Sequence, residues 1–156
     1  MRRKEKAQKL SVELIAEQCI AVRLRLLTRA VTKLYNDALR SFGITISQMN
    51  ILVAVSHMGE AARQGDVCRA LLLDKSTLSR DVERMHARGW LRMIPGEDRR
   101  SELLRITPAG ERLLERTFPA WSRAQEQAKE LLGEKDLAGL NRAVRALRSG
   151  KPADSE

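Results

Sequence analysis

Residues 73–90 read LDKSTLSRDVERMHARGW, and six of them have types and spacing that suit chemistry on a polyanion: Lys75, Ser76, Thr77, Ser79, Arg80 and Arg84. Leu78, Val82 and Met85 fall at i, i+4 and i+7, so a helix here must turn that edge toward a core. At 100° per residue the opposite face then carries Ser76, Arg80, Glu83, Arg84 and Ala87, with Thr77 and Ser79 on its flanks. Short hydroxyls at the start of such a helix let the backbone approach phosphates and base edges. An arginine one turn later can place two hydrogen bonds on guanine O6 and N7. Arg80 is the leading candidate for that contact. The charges at Arg80, Arg84 and Arg88 repel one another at i,i+4, which argues against a helix face arranged only for solvent.

A second candidate stretch follows at 95–107, PGEDRRSELLRIT. WLRMI before it and LLRIT at its end have the composition of two short strands joined by a charged turn. A ribbon of this kind beside a helix-turn-helix can place its turn in the electronegative minor groove, where an arginine is favoured. Arg99 or Arg100 would enter, while Asp98 would hydrogen-bond a neighbouring arginine and hold its fork in place.

The surrounding elements are almost all helical. From Ser11 to Ser41 no Pro or Gly interrupts the chain, and Ile15, Cys19, Val22, Leu26, Ala30, Leu34 and Ala38 recur at three- and four-residue steps. One helix of that length extends about 45 Å, longer than a compact domain of this size is wide, so part of its apolar stripe is expected to pack on another subunit. Gly43 is placed to end it. Ser47 stands before a short helix with Met49, Leu52, Val53 and Ser56 along one side, and Gly59 stops that helix. A second short helix, from about Arg63 to Leu72, carries Val67, Ala70 and Leu71 inward, and a third begins near Asp74. After the strands, Thr107-Pro108 is a helix start with Thr as cap and Pro in the first turn. That long helix is expected to bend near Pro119 and to end at Gly133, and a last one presents Leu137, Leu140, Val144 and Leu147.

Composition agrees with a nucleic-acid partner and excludes several other classes. The 156 residues carry 29 Lys+Arg against 20 Asp+Glu, a formal net charge of +9. Only 3% are aromatic, too few for the stacking platforms of single-strand readers, so duplex DNA is favoured. Cys19 and Cys68 form no CxxC pair and have only His57 and His86 for company, so neither a metal site nor a disulfide framework is expected. Phosphate loops, nucleophile elbows and HExxH pairs are absent, and we expect neither enzyme activity nor a cofactor. No apolar run has the length of a membrane span and none follows the basic start as a secretory signal would, so a cytoplasmic protein is expected.

The order of elements resembles the MarR family of winged helix-turn-helix regulators over about Ser11 to Leu147. The most specific match is DRRSELLRITPAG at 98–110, an Asp-x-Arg followed by a strand and Ile-Thr-x-x-Gly. GITISQMNIL at 43–52 and LDKSTLSRDVERMHARGWL at 73–91 resemble the family's second and recognition helices. The resemblance implies a mainly α fold with a small β-hairpin wing and long terminal dimerisation helices. Its parts would be a winged helix-turn-helix at about 44–107 and dimerisation helices at about 11–41 and 108–149, while the residues themselves read as a basic arm at 1–10 and a disordered tail at 150–156. It also implies a homodimer on a pseudo-palindromic operator, acting most often as a repressor released by a small-molecule effector, often aromatic or phenolic. Asp98 and Arg100 would be the paired wing residues, and Ser76, Thr77, Ser79, Arg80 and Arg84 match positions that enter the major groove. Two features depart from the family pattern. Leu72 stands where many relatives have a glycine between helices, and a left-handed backbone suits it poorly. Cys19 invites comparison with the family's peroxide-sensing cysteine, which would make the chain a thiol-based redox regulator, but it falls slightly early and no tyrosine lies near it in sequence. A third reading, an architectural protein that coats DNA, would need no particular side chains on the recognition helix.

Overall fold

The computed structural model describes residues 11–96 and 102–150. A helical segment at 11–18 (α1) leads through Cys19 into α2 (Ile20–Leu39). The expected continuous first helix is therefore broken. Cys19 adopts φ −63° and ψ 108°, although its N–H still reaches Ile15 O at 3.0 Å. Every residue of α1 is exposed in the single chain, so no packing holds the junction straight. A 3-10 turn, Arg40–Phe42, closes on Gly43, which takes the left-handed conformation expected of it.

Next come α3 (Ile46–His57), β1 (Ala62–Arg63), α4 (Gln64–Leu71), α5 (Lys75–Ala87), β2 (Leu91–Pro95), β3 (Glu102–Ile106), α6 (Pro108–Leu132) and α7 (Glu134–Ser149). The cap of α3 is Thr45, not Ser47. Its hydroxyl accepts from Gln48 N and the Gln48 side chain accepts from Thr45 N, a reciprocal capping box. The buried face of α3 also differs from expectation: Met49, Ile51, Leu52 and Val55 are inside, while Val53 and Ser56 are exposed. This helix is apolar on nearly every side, so periodicity alone does not identify its inner face. On α4, Val67 is buried and Ala70 is exposed.

The sheet has three antiparallel strands in the order β1-β3-β2. β2 and β3 pair from Leu91↔Ile106 out to Pro95↔Glu102, as a wing hairpin should. β1 adds Ala62↔Leu104 and Arg63↔Leu103, a pairing two residues long that leaves no alternation in sequence to read. α6 runs unbroken through Pro119, whose exposed position lets water reach the carbonyl deprived of its donor. It ends at Gly133 as expected.

The main core joins α3, α5, the sheet and the start of α6 through Leu52, Val55, Leu78, Val82, Met85, Leu91, Leu104 and Leu113, all buried. A smaller cluster, Tyr35, Ala124 and Ala128, joins α2 to α6, and Trp121 packs against both.

One junction fixes the long helix to the wing. The Thr107 hydroxyl donates to Gly89 O at 2.6 Å and accepts from Gly110 N at 3.1 Å, while Thr107 N donates to Trp90 O at 3.1 Å. The first turn of α6 thereby sits so close to Trp90 that a Cβ on Gly110 would lie 2.3 Å from Trp90 O and 2.8 Å from Ile106 Cγ1. Backbone cannot yield as a flexible side chain can. Gly110→Ala is expected to destabilise the fold by about 1–3 kcal/mol, read as a lower urea midpoint. An unchanged midpoint would show that the junction tolerates a methyl group.

Candidate nucleic-acid interface

The turn between α4 and α5 sets how α5 is presented. Leu73 N bonds back to Cys68 O at 2.9 Å and Leu72 takes φ 52° and ψ 42°, the one positive φ outside glycine among the described residues. The left-handed turn is made despite the leucine, whose side chain is 77% exposed. A branched side chain in this conformation carries about 1–2 kcal/mol of strain.

α5 then divides as its sequence predicts. Leu78, Val82 and Met85 are buried to 1% exposure or less. Lys75, Ser76, Arg80, Glu83, Arg84 and Ala87 are exposed, and Thr77 and Ser79 are half-buried at the flanks. Asp74 caps the helix: Oδ1 accepts from Thr77 N at 2.8 Å and from Ser76 Oγ at 2.6 Å, and Oδ2 accepts from Thr77 Oγ1 at 2.7 Å. The Ser76 hydroxyl, then the Thr77 hydroxyl and N–H, hold the Asp74 carboxyl well below the usual carboxylate range.

The arginines of this helix have different surroundings. Arg80 forms no hydrogen bond or ion pair among the described residues, so its guanidinium is available to a partner. Arg84 lies 3.9 Å from Asp81, a largely covered carboxylate that also accepts from Gln48 Nε2 at 3.2 Å and Ser47 Oγ at 3.5 Å on α3. Arg88 belongs to the fold: it donates to Gly43 O and lies over the Trp90 ring, 5.0 Å from its centroid. Asp81 and Gln48 were not singled out from sequence, and Asp74 was named only as the start of the helix. Their signals were an Asp at the cap position and an Asp one residue beyond Arg80, but the bonds that give them roles cross between elements.

Between α5 and the ribbon runs an open groove of about 1470 Å³, lined by Arg63, Gln64, Lys75, Ser79, Glu83 and Glu102 among others. Arg105 Nε donates to Glu60 O at 2.7 Å and ties β3 to the segment before β1. Asp98, Arg99 and Arg100 lie outside the described residues, in the connection that follows the Pro95↔Glu102 pair. A second, smaller cleft of about 360 Å³ lies between α2 and α6, lined by Leu34, Asp37, Ala38, Ala120, Arg123 and Gln127. Close to it in the fold, the Phe118 and Trp121 rings stack at 5.9 Å. Cys19 is half-buried at the α1–α2 break, and the single tyrosine, Tyr35, is turned to Gln125. Among the described residues no three of His, Cys, Asp and Glu gather as a metal site, and no single helix is long and apolar enough to cross a membrane.

Residues 42–101, which hold the helix-turn-helix and the first half of the wing, match the model of the MarR family. That segment is similar to the MarR family. It is similar to the regulator YwoH of Bacillus subtilis (strain 168), an uncharacterised HTH-type protein, at 29% identity over 56% of this chain and 63% of YwoH. It is also similar to the HTH-type transcriptional regulator PecS of Dickeya dadantii (strain 3937), at 30% identity over 58% of this chain and 54% of PecS. The chain thus spans 63% and 54% of the lengths of these two relatives. In fold it is similar to BpsR of Bordetella bronchiseptica, with TM-score 0.75 and 23% identity over 86% of this chain and 96% of that one. A variant of MarR from E. coli, complexed with operator DNA, gives TM-score 0.75 and 18% identity over the same shares. The MarR-like winged helix-turn-helix, mainly α with a three-stranded sheet, is therefore the fold of this chain.

Two outcomes follow from this turn and cap. Leu72→Gly should relieve the left-handed strain and raise stability by about 1 kcal/mol in urea denaturation. A loss of stability would mean that the exposed leucine side chain contributes more than its backbone costs. The second concerns pH. Folding holds Asp74 below its ordinary value of 3.8, so its contribution is complete above that value and is lost as pH falls through the lower folded value. Asp74→Asn should therefore make the melting temperature depend less steeply on pH below about 4; an unaltered acid limb would contradict the cap.

Proposed function

We propose that this chain is a sequence-specific regulator that binds duplex DNA as a homodimer on a pseudo-palindromic operator, acting as a repressor relieved by a small molecule. The observation that carries the reading is the outward face of α5, where Arg80 stands exposed and, among the described residues, without a hydrogen bond or ion pair, one turn beyond the hydroxyls of Ser76 and Thr77. In this reading Lys75, Ser76, Thr77, Ser79, Arg80 and Arg84 meet the major groove. The wing carries Asp98, Arg99 and Arg100 to the flanking minor groove. The net charge of +9 supplies the attraction to phosphate.

The homodimer is supported by apolar surface that the single chain leaves uncovered. Val12, Ile15, Ile20, Leu24 and Leu26 on α1 and α2, Phe118 and Leu131 on α6, and Leu147 on α7 are all exposed. Large apolar side chains left exposed in this number on the long helices are what an interface would cover. Two-fold symmetry would set the two copies of α5 about 34–36 Å apart, one turn of the duplex. The relatives support regulation: YwoH and PecS are named as HTH-type transcriptional regulators, MarR has been solved on operator DNA, and DNA binding by BpsR is regulated by 6-hydroxynicotinic acid. The α2–α6 cleft beside Trp121 is the place proposed for an aromatic or phenolic effector, because it joins the arms to the winged helix.

Arg80→Ala should lower the preference for the selected operator over unrelated duplex by about 1–3 kcal/mol, measured by fluorescence anisotropy. Equal weakening on every duplex would favour an architectural protein instead. Sedimentation should give twice the 17.6 kDa chain mass. Leu147→Glu should shift the chain toward the monomer and weaken operator binding by about a hundred-fold, because the two half-sites are no longer engaged together. A wild-type monomer at micromolar concentration would contradict the dimer.

A further inference from the structure

The direction of the hydrogen bonds around Asp74 restricts what the reading face of α5 can recognise. An ionised carboxylate only accepts, so the Ser76 hydroxyl at 2.6 Å and the Thr77 hydroxyl at 2.7 Å must each donate their single proton to it. Both hydroxyls then present lone pairs alone to anything beyond the helix. An unconstrained serine can donate or accept, and would sit equally well against phosphate, guanine O6 or thymine O4, all of which are acceptors. The Ser76 and Thr77 hydroxyls, held as they are, meet those groups lone pair to lone pair. Charge-assisted bonds of this length are about twice as strong as neutral ones, so turning a hydroxyl away from Asp74 is unfavourable.

We propose that Asp74 makes Ser76, and to a lesser degree the half-buried Thr77, acceptor-only readers, selecting a base with an exocyclic amino group against one with an oxygen there. The bases that qualify in the major groove are adenine, through N6, and cytosine, through N4; guanine and thymine offer oxygen instead. Asp74 is a positioning residue in this account: it meets no base itself and acts through the hydroxyls. Its negative charge beside them also disfavours a phosphate at this end of the helix. One turn further on, Arg80 has only donors, so α5 presents acceptors first and donors second, a polarity that an operator must match in reverse. The inference rests on the duplex-DNA reading above and gives that reading a base identity.

The test is selection from a duplex library with a randomised core, using the full-length wild type, Ser76→Ala and Asp74→Asn. Asparagine also caps helices well, so all three proteins should fold. The position whose preference relaxes in Ser76→Ala is the one facing Ser76, and in the wild type it should be adenine or cytosine. At that position a base analogue lacking the amino group should weaken the wild type about five-fold, the worth of one hydrogen bond. It should leave Ser76→Ala unchanged. Asp74→Asn should lose less than the wild type, because a hydroxyl released from the carboxylate can donate again. If the position facing Ser76 is guanine or thymine, or if Ser76→Ala relaxes no position, the inference is overturned while the DNA reading stands. If the wild type enriches no sequence at all, both are overturned.

Discussion

Burial of one edge of α5 is the constraint on which the rest of the molecule depends. Leu78, Val82 and Met85 are locked among Leu52, Val55, Leu91 and Leu104, and each is worth about 1.5–3 kcal/mol out of water. Once that edge is committed, helical geometry leaves no freedom for the other: Ser76, Arg80 and Arg84 must face outward. The Asp81 carboxylate, held by Gln48 and Ser47 of α3, supplements the apolar contact with a polar one that fixes the rotation of α5 about its own axis. A reading face needs this rigidity, because base contacts discriminate only when side chains arrive in a set register.

The same core joins the winged helix to the long helices α2 and α6. Thr107 and Gly110 seat the first turn of α6 against Gly89 and Trp90, at the point where α5 hands over to the wing. Arg88 closes the other side by donating to Gly43 O at the end of the first arm. Two long elements therefore grip the ends of the winged helix, and the α2–α6 cleft lies between them. A ligand that changed the spacing of α2 and α6 would act on both grips together.

The parts legible in the sequence were those whose cause is local. The buried edge of α5, the Asp74 start, the Thr107-Pro108 start and the stops at Gly43 and Gly133 follow from spacing, capping and backbone freedom. The parts that were not legible depend on partners distant in sequence. Residues 62–63 become a strand only because β3 is there to pair with them. The inner face of α3 is chosen by what surrounds an almost uniformly apolar helix, and Thr45 takes the cap because Gln48 can bond back to it. On the candidate interface, residue types gave the face. The division of labour among Arg80, Arg84 and Arg88 required the positions of Asp81, Gly43 and Trp90.

In the proposed function, two copies of α5 read the major groove of one duplex. Chemical footprinting of the full-length protein on its selected operator tests this most directly, with guanine N7 methylation reporting the major groove and hydroxyl radicals the backbone. The account predicts two blocks of N7 protection on one face of the duplex, centred about 34–36 Å apart, with backbone protection flanking each block. Continuous backbone protection without N7 protection would contradict it, because a protein that holds DNA only by its phosphates has no use for the face that α5 presents.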